Sequence, residues 1–188
     1  AARHRVTSLV RLAPSFERLD AEVQEKITAA GRRQTLRTLE RMSGGATVLE
    51  AITRSGTPVI VLKGTAFSEV LYGSWAARGV SADLDVLVPP ESLTVVHRVL
   101  LELGYRSNAD GDRQAPLWGW RGTYNRLLHY ERSYSMDGRL PAVDVHWRIT
   151  AGRAPWTSFD SVNAGRRTVQ LPTGAVENLG ALHALAVA

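Results

Sequence analysis

Ser81-Ala82-Asp83-Leu84-Asp85-Val86-Leu87-Val88 is the stretch that decides how this chain is read. It is a valine- and leucine-rich run stopped by Pro89-Pro90, so a strand is expected over 82–88. Side chains two apart on a strand share a face. Asp83 and Asp85 therefore point one way, and Leu84 and Val86 the other. Two neighbouring carboxylates repel, and burial sharpens the repulsion. A divalent cation removes that cost, and Mg²⁺ prefers hard oxygen ligands of this kind. The ordinary alternative is a strand end where both acids meet water or arginine.

The surroundings favour the metal. Upstream, Ala66 to Tyr72 reads as a short helix ended by Gly73-Ser74. A Gly-Ser turn exposes backbone N–H groups that can hold a triphosphate. Downstream, Val143-Asp144-Val145-His146-Trp147 places a third acid inside another apolar strand, with Asp144 and His146 on one face. If the two strands are neighbours, Asp83, Asp85 and Asp144 form a cluster able to hold two ions about 3.5–4 Å apart. Such a pair activates an acceptor hydroxyl and binds the triphosphate and its leaving pyrophosphate.

The remaining chain is expected to build one α/β (α+β) domain around these strands. Residues 1–55 read as an N-terminal helical cap, with a break at Ser43-Gly44-Gly45 and a start near Pro14-Ser15. Residues 56–188 read as the α/β domain. Thr57 to Leu62 is an expected strand and Glu91 to Leu103 a helix closed by Gly104. Arg126 to Tyr134 and Ala142 to Ile149 are expected to pair as strands across Asp137-Gly138. After a strand at Thr168 to Leu171, a last helix is expected over 175–188. It lacks a stop signal, so either a C-terminal truncation or packing of this helix against something beyond the chain is expected.

Composition sets the outer bounds. The chain has 188 residues, 44% of them apolar, and no cysteine. That excludes disulfides, thiolate zinc sites and cysteine nucleophiles. No apolar run is long enough to span a membrane, and the start lacks a secretory signal, so a cytoplasmic location and no membrane partner are expected. The formal charge is +5, and all but Lys26 and Lys63 of the 23 basic residues are arginine. A basic chain can meet nucleic acid, but this composition matches the codon bias of a GC-rich genome equally well. Nucleic acid is an open partner, not the favoured one. Trp118 and Trp120 in the loop at 108–123, Tyr124 just after it, and Trp156 in or beside a later loop can stack on a base or plug a small core.

Helix, Gly-Ser, Asp-x-Asp on a strand and a later strand Asp together resemble the nucleotidyltransferase superfamily of DNA polymerase β. Within it the chain is similar to the uncharacterised bacterial nucleotidyltransferase family. The residues that carry the likeness are Leu62-Lys63-Gly64, Leu71-Tyr72, Arg78, Asp83-Leu84-Asp85-Val86-Leu87-Val88 and Asp144-Val145-His146-Trp147, spread over residues 56–185. The four residues between Arg78 and Asp83 depart from the pattern and leave Arg78's aim open: it can pair with phosphate or brace Asp83.

The resemblance implies a small mixed β-sheet and Mg²⁺-dependent transfer of an NMP, with AMP from ATP expected, to a hydroxyl on an unknown small molecule, peptide or protein. Asp83, Asp85 and Asp144 would be the catalytic and metal residues. Lys63, Gly64, Gly73, Ser74 and Arg78 would hold the nucleotide, and His146 would support the carboxylates or sit half-buried beside Trp147. Two alternatives stay open: a catalytically degenerate module of the same fold that binds a nucleotide or partner, and an arginine-driven RNA-binding protein.

Overall fold

The computed structural model describes residues 7–78, 83–107, 129–138, 140–150, 154–180 and 183–184. The architecture is mixed α/β, with a seven-stranded sheet and a long helix near the N-terminus.

A short helix, α1 (Thr7–Leu12), and one 3-10 turn at Phe16–Arg18 lead into α2 (Ala21–Arg54). Helix α2 runs unbroken through Ser43-Gly44-Gly45, where the sequence suggests an interruption, and it starts after Asp20 rather than at Pro14-Ser15. Two glycines in a helix interior cost roughly 1 kcal/mol each relative to alanine. Tertiary packing outweighs that cost, because Val48 and Ile52, just beyond, are fully buried.

Strand β1 (Ile60–Val61) is shorter than the expected Thr57 to Leu62 run. Then come α3 (Thr65–Tyr72), closed by a left-handed Gly73, and β2 (Asp83–Leu87). A 3-10 turn at Pro90–Ser92 opens α4 (Leu93–Glu102), and Gly104 turns the chain at φ 92°. Strands β3 (Arg106–Ser107), β4 (Glu131–Ser135) and β5 (Ala142–His146) follow, with β4 and β5 antiparallel. Helix α5 (Phe159–Ala164) precedes β6 (Arg167–Leu171) and β7 (Gly174–Asn178).

Strand β7 corrects the first part of the last helix expected over 175–188; residues 183–184 are helical, and 181–182 and 185–188 lie outside the described residues. Residues 174–178 pair antiparallel with β6 from Leu171↔Gly174 to Arg167↔Asn178. The Pro172-Thr173 tip, followed by Gly174 at φ 121°, makes a tight hairpin turn. Val176 lies opposite Val169, so the apolar residues serve a period of two rather than a helical one. The loop at 108–123, with Trp118 and Trp120, and Tyr124 lie outside the described residues. Trp156 sits in a 3-10 turn, half exposed.

The strand order is β3-β4-β5-β2-β1-β7-β6. Strands β2 and β5, which carry the acids, lie side by side and parallel at the centre. One face buries Val86, Val88, Val143, Val145 and Trp147 against Val48 and Ile52 of α2 and Val96 and Leu100 of α4. On the other, Leu87 joins Ile60, Leu62, Phe67 of α3, and Phe159 and Val162 of α5. No described helix is long and apolar enough to cross a membrane.

Candidate functional site

Period two fixes the arrangement. Because Val86, Val143 and Val145 fill one face, Asp83, Asp85, Asp144 and His146 occupy the other. The register is Asp83↔Ala142, Asp85↔Asp144 and Leu87↔His146. Asp85 and Asp144 are thus direct partners on adjacent parallel strands, whose backbones lie about 4.8 Å apart. Asp83 is one pleat repeat, about 6.6 Å, up the same strand. Two stretches distant in sequence bring three carboxylates to one patch of one sheet face.

Asp85 is the innermost of the three, at 8% exposure, while Asp83 and Asp144 are half-buried. Its Oδ1 accepts a hydrogen bond from His146 Nε2 at 3.2 Å and lies 3.5 Å from Lys63 Nζ. Burial pushes the Asp85 carboxyl up, but the His146 hydrogen bond and the Lys63 charge outweigh it, so the group titrates below its ordinary value. Asp85 therefore stays ionised, and protein cations already balance part of its charge. Among the described residues no three His, Asp or Glu side chains are drawn together as a ready-made metal cage. Asp83, Asp85 and Asp144 are oxygen donors, the ligand type a hard cation takes, and the strand register sets them on one sheet face.

His146 is buried at 3%. Its Nδ1 lies 3.3 Å from Glu131 Oε2 without making a hydrogen bond. Glu131 sits directly opposite His146 on β4. The ring therefore stands between Asp85 and Glu131. Nothing local in the sequence points to Glu131; only the β4–β5 register reveals it.

Lys63 and Gly64 follow β1 and precede the N-terminus of α3, and Gly64 adopts φ 80°, ψ −138°. Both border the same cavity as Asp83 and Asp85. Gly73 and Ser74 lie at the opposite end of α3, roughly two helical turns away. Ser68 fastens that turn: its buried hydroxyl donates to Ser74 O at 2.8 Å and accepts the Arg78 N–H at 3.3 Å. A serine within the buried Ala66-Phe67-Ser68 run is the sequence signal for this residue. No contact among those described joins Gly73, Ser74 or Arg78 to the carboxylates. The structure brings together Lys63, Gly64, Asp83, Asp85, Asp144 and His146, and holds Gly73, Ser74 and Arg78 as a separate cluster.

A cavity of about 520 Å³ runs beneath the C-terminal half of α2. Met42, Leu49, Val61, Leu84, Leu171 and Val176 supply its apolar walls, and Lys63, Asp83 and Asp85 border it.

No curated protein and no solved structure matches the chain. One family model does, over residues 1–186, nearly the whole length, and its description is "Uncharacterised nucleotidyltransferase". With its acids set side by side on a mixed sheet and the match running from end to end, the chain belongs to that family of uncharacterised nucleotidyltransferases.

Proposed function

We propose that this protein transfers a nucleotidyl group, AMP from ATP, to a hydroxyl acceptor, using Mg²⁺ held by Asp83, Asp85 and Asp144, as in the DNA polymerase β superfamily. The observation that carries the reading is the Asp85↔Asp144 pairing with Asp83 on the same face. A strand pair that concentrates acids in this way needs a compensating charge. Lys63 and His146 supply part of it at Asp85, and bound cations would supply the rest. When present, the ions would lower the pKa of the acceptor hydroxyl and screen the triphosphate.

The chain's own groups do the positioning. In the reaction the acceptor oxygen bonds to the α-phosphorus, the bond from that phosphorus to the bridging oxygen breaks, and pyrophosphate leaves. The hydroxyl proton passes to one of the three carboxylates. Lys63, exposed and beside Asp85, offers a point charge to the phosphates. His146 holds Asp85 in place.

A second reading is a degenerate module that binds a nucleotide without turnover. It draws on one observation, that Asp85 is already paired with Lys63 and His146. Incubation with ATP labelled at the α-phosphate, Mg²⁺ and a panel of hydroxyl compounds separates the two. Transfer of label that depends on Mg²⁺ and fails in Asp144→Asn supports the enzyme. Nucleotide binding without transfer, unaffected by Mg²⁺, supports the module.

A further inference from the structure

The cavity beneath α2 extends along that helix. Its wall takes residues from Arg41 to Arg54, a span of roughly four helical turns. Met42, Gly45, Leu49 and Thr53 recur every three or four positions, so they form one stripe along α2. Val48 and Ile52, on the adjacent stripe, pack into the core. Helix α2 thus buries one stripe and leaves its neighbour over a hollow.

Gly45 keeps the hollow open. It is buried well inside a 34-residue helix, where glycine is unfavourable. A Cβ there would meet nothing nearer than the Leu84 methyls at 3.9 Å, an ordinary contact. Sterics at the Cβ do not require glycine; space beyond the Cβ is what a larger residue would consume.

The described lining contains no aromatic ring. A purine usually rests on one, whereas Met42, Leu49, Leu84, Leu171 and Val176 give the channel aliphatic walls, bordered by the exposed Arg41, Glu50 and Arg54. Strand β1 pairs with β2 only at Ile60↔Leu87 and Val61↔Val86, with one further bond from Leu62 N–H to Asp85 O. Beyond it, the β1 side of Asp83 and Leu84 carries no ladder among the described residues. Asp83, Asp85 and Lys63 all border the channel. Gly73, Ser74 and Arg78 do not border it, whereas Lys63 and Gly64 do.

We infer that this channel is the acceptor subsite and that it takes a hydroxyl compound with an extended aliphatic body, the hydroxyl at the Asp83–Asp85 end. The inference rests on the transfer reading above and deepens it by naming the acceptor's class. It makes Gly45 a specificity-determining residue, because it sets the channel's width.

The test uses primary alcohols from hexanol to decanol as probes, titrated into the full chain and followed by protein-observed NMR, with Mg-ATP titrated separately. Affinity is expected to rise roughly fourfold per added methylene, the increment for burying one in an apolar site. Gly45→Leu should weaken decanol binding at least tenfold and leave Mg-ATP binding unchanged. Ala46→Leu, also on the channel wall, gives a second narrowing should the first variant fold poorly, and thermal melting reports folding in both. Affinity that does not grow with chain length overturns the inference. So does an equal loss of Mg-ATP binding in the narrowed variants, which would make the channel the nucleoside's site. A wild-type chain that binds the alcohols with the stated length dependence but neither binds Mg-ATP nor transfers label retires the transfer reading instead, and leaves the channel as an aliphatic ligand site.

Discussion

Asp144 is the direct register partner of Asp85 on the neighbouring parallel strand. The proposed chemistry depends on that relationship, because it turns an Asp-x-Asp pair into a three-carboxylate face. The first prediction follows from it. Asp83→Asn and Asp144→Asn each keep the side chain's size, and both positions are only half-buried, so the fold should survive. Mg²⁺-dependent transfer should fall by about 100-fold or more, the scale on which a single charge-stabilising group acts. Label transfer per chain, alongside circular dichroism, reads both effects. Unchanged transfer in either variant contradicts the role.

The metal-free protein should show an acid-sensitive link between Lys63 and Asp85. Asp85 titrates below its ordinary value, with burial opposed and outweighed by His146 and Lys63. A carboxyl depressed in this way contributes stability above its unfolded pKa, and that stability is lost as pH falls through the folded one. Lys63→Met removes one stabilising charge. The variant should therefore be less stable than wild type near neutrality. The gap should narrow as pH falls below about 4 and close once Asp85 is protonated. Urea midpoints measured from neutral to strongly acidic pH follow it. A gap that keeps its full size in strong acid would assign the effect to something other than this ion pair.

Two glycines should respond to alanine with opposite signs. Gly64 sits at φ 80°, ψ −138°. Nothing lies within 4 Å of a Cβ built there. The whole cost of Gly64→Ala is therefore backbone strain, about 1–3 kcal/mol. Gly45 is helical with ordinary space at its Cβ. Gly45→Ala should stabilise by about 0.5–1 kcal/mol. Chemical denaturation of the pair checks both. A stabilised Gly64→Ala would show that the turn after Lys63 is not held in this conformation.

Helix α2 should be inseparable from the sheet. Ile52 is fully buried in the same cluster as Val86 and Val145. Ile52→Ala should cost about 2–5 kcal/mol, the usual range for a core isoleucine. Circular dichroism and tryptophan fluorescence should still report one shared transition, moved to lower denaturant. A cost below about 1 kcal/mol, under the range for a well-packed core site, would mean that the helix is only loosely seated.

Each of the two central strands is legible in the sequence, because apolar alternation is short-range chemistry. Apolar alternation around Asp83, Asp85, Asp144 and His146 fixes the face, and Gly73 marks the end of α3. Strand adjacency is not local information: that β5 pairs with β2, and Glu131 with His146, emerges only from the assembled register. Helix α2 runs through Gly44-Gly45 because packing of Val48 and Ile52 overrides propensity. Short apolar runs carry either period, so the sequence suggests a helix where β7 lies. The Pro172-Thr173 hairpin tip, which settles the matter, looks locally like a helix start. Ser68 is hard to single out in advance because its partners, Ser74 O and the Arg78 N–H, are backbone groups.

Counting bound ions tests the shared role of Asp83, Asp85 and Asp144 most directly. Mn²⁺ can be titrated into the chain with a non-hydrolysable ATP analogue and bound ions counted by paramagnetic resonance. The account predicts two ions per wild-type chain and a loss of at least one in Asp144→Asn. Nucleotide bound without any ion, or the same count after Asp144→Asn, would contradict it.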